Sequence, residues 1–327
     1  MPAITAIDPV RVVDGGRLWI RGRDFPRPDS SDWGVTIGEV PARVVFAAPD
    51  RIAVEVPEGL PAPEAEIRVP AVPGATPIVR VGARWATGLH QVDSPVFDAE
   101  GRLYVTYSGS RGQEAPVSIF RVTRDATREA FVTGIVNATS MAMGPDGLLH
   151  VSSRFDGHVY RVQPDGSHDV IASDLGQATG LAFGGDGALY VGDRSGTVFR
   201  IEPGGKTSVF ATLPASVAAF HLAMSPTGVL YVSVPTLATR DSIYRIDANG
   251  RVEPLGLTFG RPQGMAFDAS GTLYVVEALA GSSGVYRVPA SGTPELAIAG
   301  ARLIGVAFGP DGRIAVASSE AVYVFGQ

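Results

Sequence analysis

One twelve-residue phrase returns six times along the chain: an apolar strand, a four-residue turn that closes on glycine, and a second apolar strand. The copies are SPVFDAEGRLYV, SMAMGPDGLLHV, GLAFGGDGALYV, HLAMSPTGVLYV, GMAFDASGTLYV and GVAFGPDGRIAV, starting at Ser94, Ser140, Gly180, His221, Gly264 and Gly305. A spacing of about 40 residues accommodates one four-stranded antiparallel unit, because strands of about five to six residues need only short reversals between them. Six such units specify a six-bladed β-propeller, an all-β wheel whose loops gather around a central axis.

The first strand of each copy sorts its residues by size. Met141 and Met143, Leu181 and Phe183, or Met265 and Phe267 fall on one face, and Ser140, Gly180, Gly264 and Gly305 with their alanine partners fall on the other. Successive side chains point to opposite faces of a strand, so the large face of one blade fits the small face of its neighbour. After the sixth copy only Ala321–Phe325 remains, enough for a third strand but not a fourth. The missing outer strand of the last blade is therefore expected from the segment near Ile78–His90, which removes open sheet edges.

Composition narrows the function classes. A formal charge of -6 with no basic run argues against a nucleic-acid partner, and positive charge is almost all arginine, with Lys206 the one lysine, a bias of bacterial, high-GC type. The absence of cysteine removes disulfides, thiolate nucleophiles and cysteine-ligated metals. No apolar run of about 18 residues is present, so no membrane helix is expected. Met1 leads straight into a strand without a charged and apolar leader, which places the protein in the cytoplasm if Met1 is the native start and leaves export open otherwise.

Residues 1–82 lack the repeat and show short alternating strands separated by Pro, Gly and Asp turns, the pattern of a small antiparallel sandwich. The run PAITAIDPVRVVDGGRLWIRGRDF followed by VTIGEVPARVVFAAPDRIAVEVP, with Pro9, the Gly15-Gly16 turn, Phe25 and Val56-Pro57, resembles the immunoglobulin-like IPT/TIG family. That resemblance implies a spacer or protein-contact module, and if the sandwich is an independent domain, removing residues 1 to about 76 is expected to leave a folded wheel at residues 83–327.

Residues 83–327 resemble NHL-repeat propellers and the senescence-marker/gluconolactonase (regucalcin-like) family, through DSPVFD at Asp93, ATGLAFGGDG at Thr179 and RPQGMAFD at Gln263. The lactonases carry a metal-binding Glu, Asn and Asp in these three phrases, and here the positions hold Asp93, Thr179 and Gln263. Only the first keeps a charge, although a hard cation wants about six to eight oxygens, usually with more than one carboxylate.

Residues just before each first strand and just after each second strand lie at one end of the hairpin. One ring of candidates is Asp93, Thr139, Thr179, Phe220, Gln263 and Ile304; an outer ring includes Tyr107, Arg154, Asp193, Arg194, Val234, Glu277 and Ser318. Together they form a polar funnel suited to a small oxygenated ligand. His221 stands out because it occupies a slot that other blades give to Ser or Gly, so it costs packing, and His221→Ser is expected to be tolerated if the imidazole serves function. His90, His150, His158 and His168 lack metal spacing and read as structural. Arg154 and Arg194 recur at matching positions and either clamp a carboxylate or phosphate or pair with Asp156 and Asp193.

Three functions fit this pattern. The leading one is a small-molecule-binding propeller divergent from the lactonases, with ligand contacts from Asp93, Thr139, Arg154, Thr179, Arg194, Phe220, Gln263 and Tyr107. The second is a lactonase or esterase-type hydrolase, in which Asp93, Asp193 and Glu277 hold a divalent cation (Ca²⁺, Mn²⁺ or Zn²⁺) while His221 and Glu277 do the catalysis. The third is a protein-interaction scaffold.

Overall fold

The computed structural model describes residues 1–26, 33–61, 63–74 and 76–326. Among these residues the chain forms strands and turns and no helix. The N-terminal part is a sandwich. Its first sheet runs Ala3–Asp8, Arg17–Arg23, Arg51–Glu55, Arg43–Ala48 in spatial order, all antiparallel. The second contains Val40–Pro41, Thr36–Ile37, Glu64–Arg68, Ile78–Val81 and Arg11–Val12. Alternation along each strand turns Leu18, Ile20, Ile37, Ile52, Val54, Ile67 and Val79 into the space between the sheets, where each is fully buried.

The repeats fold as six four-stranded antiparallel blades. Each turn of the repeat ends on a glycine for one physical reason. Gly101, Gly147, Gly187, Gly228, Gly271 and Gly312 have φ between 76° and 79°, a left-handed conformation that other residues adopt only under strain. The size alternation interlocks the blades as the sequence pattern requires. A Cβ on Gly180 would sit 2.6 Å from the Phe220 carbonyl oxygen and 2.7 Å from the Leu222 side chain, and one on Gly264 would sit 2.7 Å from the Ile304 carbonyl oxygen. Any side chain there would drive neighbouring backbones apart.

The sixth blade is assembled from both ends of the propeller. Leu303–Phe308, Ile314–Ser318 and Ala321–Phe325 are followed in space by Ala83–Thr87, with Ala83 opposite Val324 and Thr87 opposite Ala321. Blade five extends the other way. Its outer strand, Glu295–Ala299, pairs in parallel with Arg11–Val12 of the sandwich, which pairs in parallel with Ile78–Val81, so one nine-stranded sheet runs through both parts. Val13 is inserted into the core shared by blades five and six, beside Leu303 and Phe325. Asp14 accepts from the Tyr323 hydroxyl at 2.9 Å and is paired with Arg84. The two parts share a sheet and a core because the outer strand of blade five has an edge that Arg11–Val12 completes.

Candidate functional site at the mouth of the propeller

Strand register places the two rings on one face. The first and second strands of successive blades pair Ala138 with Ser153, Ala178 with Asp193, His221 with Ser233, Pro262 with Glu277 and Leu303 with Ser318. All these pairs close the same end of their hairpins.

At the axis, the Nδ1 of His221 lies 2.7 Å from Oδ1 of Asp93. The carboxylate can only accept, so Nδ1 carries the proton. The pair joins blade four to the lead-in of blade one, which stand opposite each other in a six-membered ring, and it therefore spans the centre of the wheel. Both side chains are buried, with His221 1% and Asp93 6% exposed. Asp93 Oδ1 also accepts from the Ser94 backbone N–H at 2.6 Å. Gly264 and Gly305, lacking side chains, make room for Ser94 against blades five and six. The other ring nitrogen, Nε2 of His221, is buried and has no hydrogen-bond partner among the described residues; so are Ser108 Oγ and Gln91 Oε1 on the same face. Buried polar atoms ordinarily find partners, so such an orphan at an axis marks a place where a ligand or water belongs.

The buried Asp93–His221 contact sets the opposite expectation for His221→Ser. Removing the imidazole leaves the Asp93 carboxylate buried without its partner, and the variant is expected to lose about 3 kcal/mol or more in urea unfolding. An unchanged midpoint would show that the pair carries no stability.

The remaining candidates divide by what their polar atoms already touch. Thr139 Oγ1 donates to the Asn137 carbonyl at 2.8 Å. Thr179 Oγ1 donates to the Gly192 carbonyl and accepts from the Phe220 N–H, both at 3.0 Å, which staples blade three to blade four. Gln263 donates to the Pro262 carbonyl at 3.1 Å. Phe220 is fully buried in the core between blades three and four, so it supports the site instead of lining it. Tyr107 is half-buried, its ring edge-on to His90 and Phe120.

Glu277 and Asp193 tie loops together. The Glu277 carboxylate accepts from the N–H groups of Arg261 at 2.7 Å, Leu279 at 2.8 Å and Gly260. Asp193 accepts from the Gln177 N–H at 2.8 Å and from the Ser195 hydroxyl. Each carboxylate thus fastens the loop leading into its blade to the loop between second and third strands, a structural task that occupies its oxygens. The structure does not bring Asp93, Asp193 and Glu277 together, and among the described residues no three His, Cys, Asp or Glu side chains are grouped to hold a metal. The residues at the lactonase-like positions fit a divalent cation no better, since Asp93 is committed to His221 and the hydroxyl of Thr179 to backbone.

The arginines behave differently. Asp156 accepts from the Tyr160 hydroxyl at 2.7 Å, and Asp193 is engaged as above, so neither serves as counter-ion to Arg154 or Arg194. Arg194 donates to the carbonyls of Ser216 at 3.2 Å and Val217 at 2.6 Å. Arg154 forms no hydrogen bond or ion pair among the described residues, and burial together with Arg111 and Arg194 pulls its pKa below the ordinary guanidinium value. Arg111 escaped the sequence reading. The signal that could have found it is the loop itself, Tyr107 to Ser118, the longest between second and third strands, with Gly109 and Gly112 flanking the arginine.

A cavity of about 1060 Å³ lies elsewhere, on the opposite face between the hairpin turns of blades three to five, lined by Gly184–Asp186 and Ser225–Gly228 among others. Its cation, Arg200, is already paired with Asp186 at 2.9 Å and Glu202 at 3.1 Å. Arg161 Nε, beside a neighbouring cavity on that face, is a buried orphan too, so the mouth is distinguished by the axial His221 Nε2 and by Arg154, which has no partner among the described residues.

Fold and contacts define an IPT/TIG domain joined to a six-bladed propeller. Residues 2–76 match the IPT/TIG domain family. No curated protein matches the chain. Among solved structures, a gluconolactonase from Xanthomonas campestris superposes with a TM-score of 0.57 at 17% identity, covering 74% of this chain and 91% of that one. An auxiliary nutrient binding protein from Bacteroides ovatus gives 0.56 at 14% identity and covers 99% of this chain and 97% of its own, so its likeness extends over both parts. A catalytically inactive variant of virginiamycin B lyase from Staphylococcus aureus, with quinupristin, gives 0.54 at 14% identity over 91% of this chain and 97% of that one. Likeness at these identities establishes the fold.

Proposed function

We propose that the protein binds a small oxygenated molecule at the mouth of the propeller, with the Asp93–His221 pair at the floor of the site. The observation that carries this reading is Nε2 of His221: a buried ring nitrogen, held in orientation by Asp93, facing no protein partner among the described residues. A ligand hydroxyl or N–H would satisfy it, and the hydrogen bond to Asp93 would fix the geometry of that contact in advance. The likeness to a protein described as nutrient binding, which spans both domains, supports the same reading. Hydrolysis is the weaker assignment. His221 could accept a proton from water, but Glu277 is consumed by backbone donors and the three carboxylates offered for a cation stand apart.

The test is a thermal-shift panel of neutral sugars, sugar acids, sugar phosphates and lactones against the parent and His221→Gln, a change that keeps a donor for Asp93. Binding to the native state raises the melting point with ligand concentration. At least one compound class is expected to do so for the parent and to lose most of the effect in the variant. A panel without response, or one whose response survives intact in a folded His221→Gln protein, would overturn the reading.

A further inference from the structure

We infer that the mouth recognises an anion: Arg111, Arg154 and Arg194, contributed by three consecutive blades, form a receptor for a carboxylate or phosphate group of the ligand. The inference rests on the binding reading above and adds the charge of what is bound.

The placement follows from the chain. Arg154 and Arg194 each follow the last residue of the second strand in blades two and three, so they stand side by side on the rim. Arg111 is brought to them by the long loop of blade one, and Asn137 pins that loop. Its side-chain amide donates to the carbonyls of Ser108 at 2.6 Å and Ser110 at 2.9 Å, and its Oδ1 accepts from the Gly112 N–H at 2.7 Å. Asn137 itself has φ of 51°, a left-handed conformation that asparagine tolerates better than most residues. Gly112 lies against the ring of Phe155, the residue after Arg154; a Cβ there would sit 3.0 Å from the ring. Arg111 and Arg154 are therefore held at adjoining positions by fixed backbone and not by chance extension of side chains.

Three like charges repel each other, whereas several arginines elsewhere in the propeller are paired with a carboxylate, among them Arg102 with Asp98, Arg121 with Glu129, Arg245 with Glu253 and Arg313 with Asp311. At the mouth no carboxylate lies within ion-pair distance of any of the three among the described residues, although the chain as a whole carries an excess of acid. The depressed pKa of Arg154 has burial as its first cause and the other two arginines as the next. Repulsion of this kind is relieved by an oxyanion, which guanidinium groups bind with paired, charge-assisted hydrogen bonds. Arg194 is already steered by two carbonyls, leaving N–H donors over, and Arg154 has its full set. The half-exposed ring of Phe155 beside them offers an apolar surface for the carbon skeleton of a small molecule.

The experiment titrates the full chain with glucuronate, glucose 6-phosphate and inorganic phosphate, with methyl glucoside as the uncharged match, following the melting point at low and high salt. Parent protein is compared with Arg154→Gln, Arg194→Gln and His221→Gln. Charged compounds are expected to bind about tenfold or more tightly than the uncharged one, with high salt weakening them. Arg154→Gln should abolish that preference while its own melting point, without ligand, stays level or rises as repulsion is removed. A carboxylate source is shown by preference for glucuronate, a phosphate source by preference for glucose 6-phosphate and a response to phosphate alone. Equal binding of charged and uncharged sugars, lost in His221→Gln but not in Arg154→Gln, would leave the binding reading standing and overturn the anion receptor. Charge-dependent binding that needs Arg154 but not His221 would keep a ligand site and its anion receptor at the mouth and overturn the place given to His221 as its floor. No response to any charged compound, with the Arg154→Gln melting point falling, would overturn the anion receptor as well, because the arginine would then be serving stability.

Discussion

Truncating the chain after Glu320 is expected to abolish the cooperative unfolding transition of the propeller. The lost strand, Ala321–Phe325, is buried at every position and lies between Ile314–Ser318 and Ala83–Thr87. Its removal strips both neighbours of their hydrogen-bonded partner and opens the ring, leaving sheet edges that template association. Val322, Tyr323, Val324 and Phe325 are each at most 8% exposed. At about 1.5 kcal/mol per side chain, the low end for full burial, they contribute roughly 6 kcal/mol or more, comparable with the whole stability of a typical domain, about 5–15 kcal/mol. Calorimetry and near-ultraviolet circular dichroism check this. A truncated protein that melts within a few degrees of the parent would show that the strand is dispensable to closure.

Deleting residues 1–76 is expected to destabilise the propeller that remains. The deletion removes Arg11–Val12 from its position between Glu295–Ala299 and Ile78–Val81, and withdraws Val13 from the core of blades five and six. It also removes Asp14 from Arg84 and Tyr323, and Arg17 from the Gly281 carbonyl, 3.2 Å away. Val13 is 1% exposed in that core, and losing its burial costs about 1.5 kcal/mol or more, or about 3–6 °C in melting temperature for a domain of this size. The bare outer edge of blade five should also make the fragment prone to associate, visible by light scattering. A monomeric fragment that melts like the parent would show that the continuous sheet contributes nothing.

Some of the solved structures this chain resembles match over nearly the whole of both chains, the auxiliary nutrient binding protein from Bacteroides ovatus among them, so the likeness in fold spans both parts. A shared sheet gives a physical reason for the two to travel as one unit: the sandwich lends a strand to blade five at the side where the propeller edge would otherwise lie open. A protein contact made by the IPT/TIG domain would then be made at a fixed orientation relative to the mouth.

Much of the fold was legible because its causes are local. A side-chain period of two, a reversal that needs glycine in the left-handed region, and a repeat length that holds four strands are each written within about forty residues, and six copies reinforce one another. The IPT/TIG domain was legible for the same reason, its strands and turns keeping their spacing from Ala3 to Val69. The rings at the mouth also followed from hairpin register alone, so the face carrying His221, Arg154 and Arg194 could be named before any contact was known.

What the tertiary structure decided are the partners of side chains far apart in sequence. Whether His221 fills a slot or reaches across the axis depends on how the ring closes, and Asp93 is 128 positions away. Asp193 and Glu277 each end a second strand, a place where the sequence allows a turn-capping carboxylate as well as one facing the mouth, and the curvature of neighbouring loops points backbone N–H groups at them and makes them fasteners. Arg111 carries no repeat signature, and only Asn137, through three hydrogen bonds to another blade's loop, sets it beside Arg154. Periodicity fixes which way a side chain points along its own strand; which charges meet is settled by packing between blades, and the chain order carries no record of that distance.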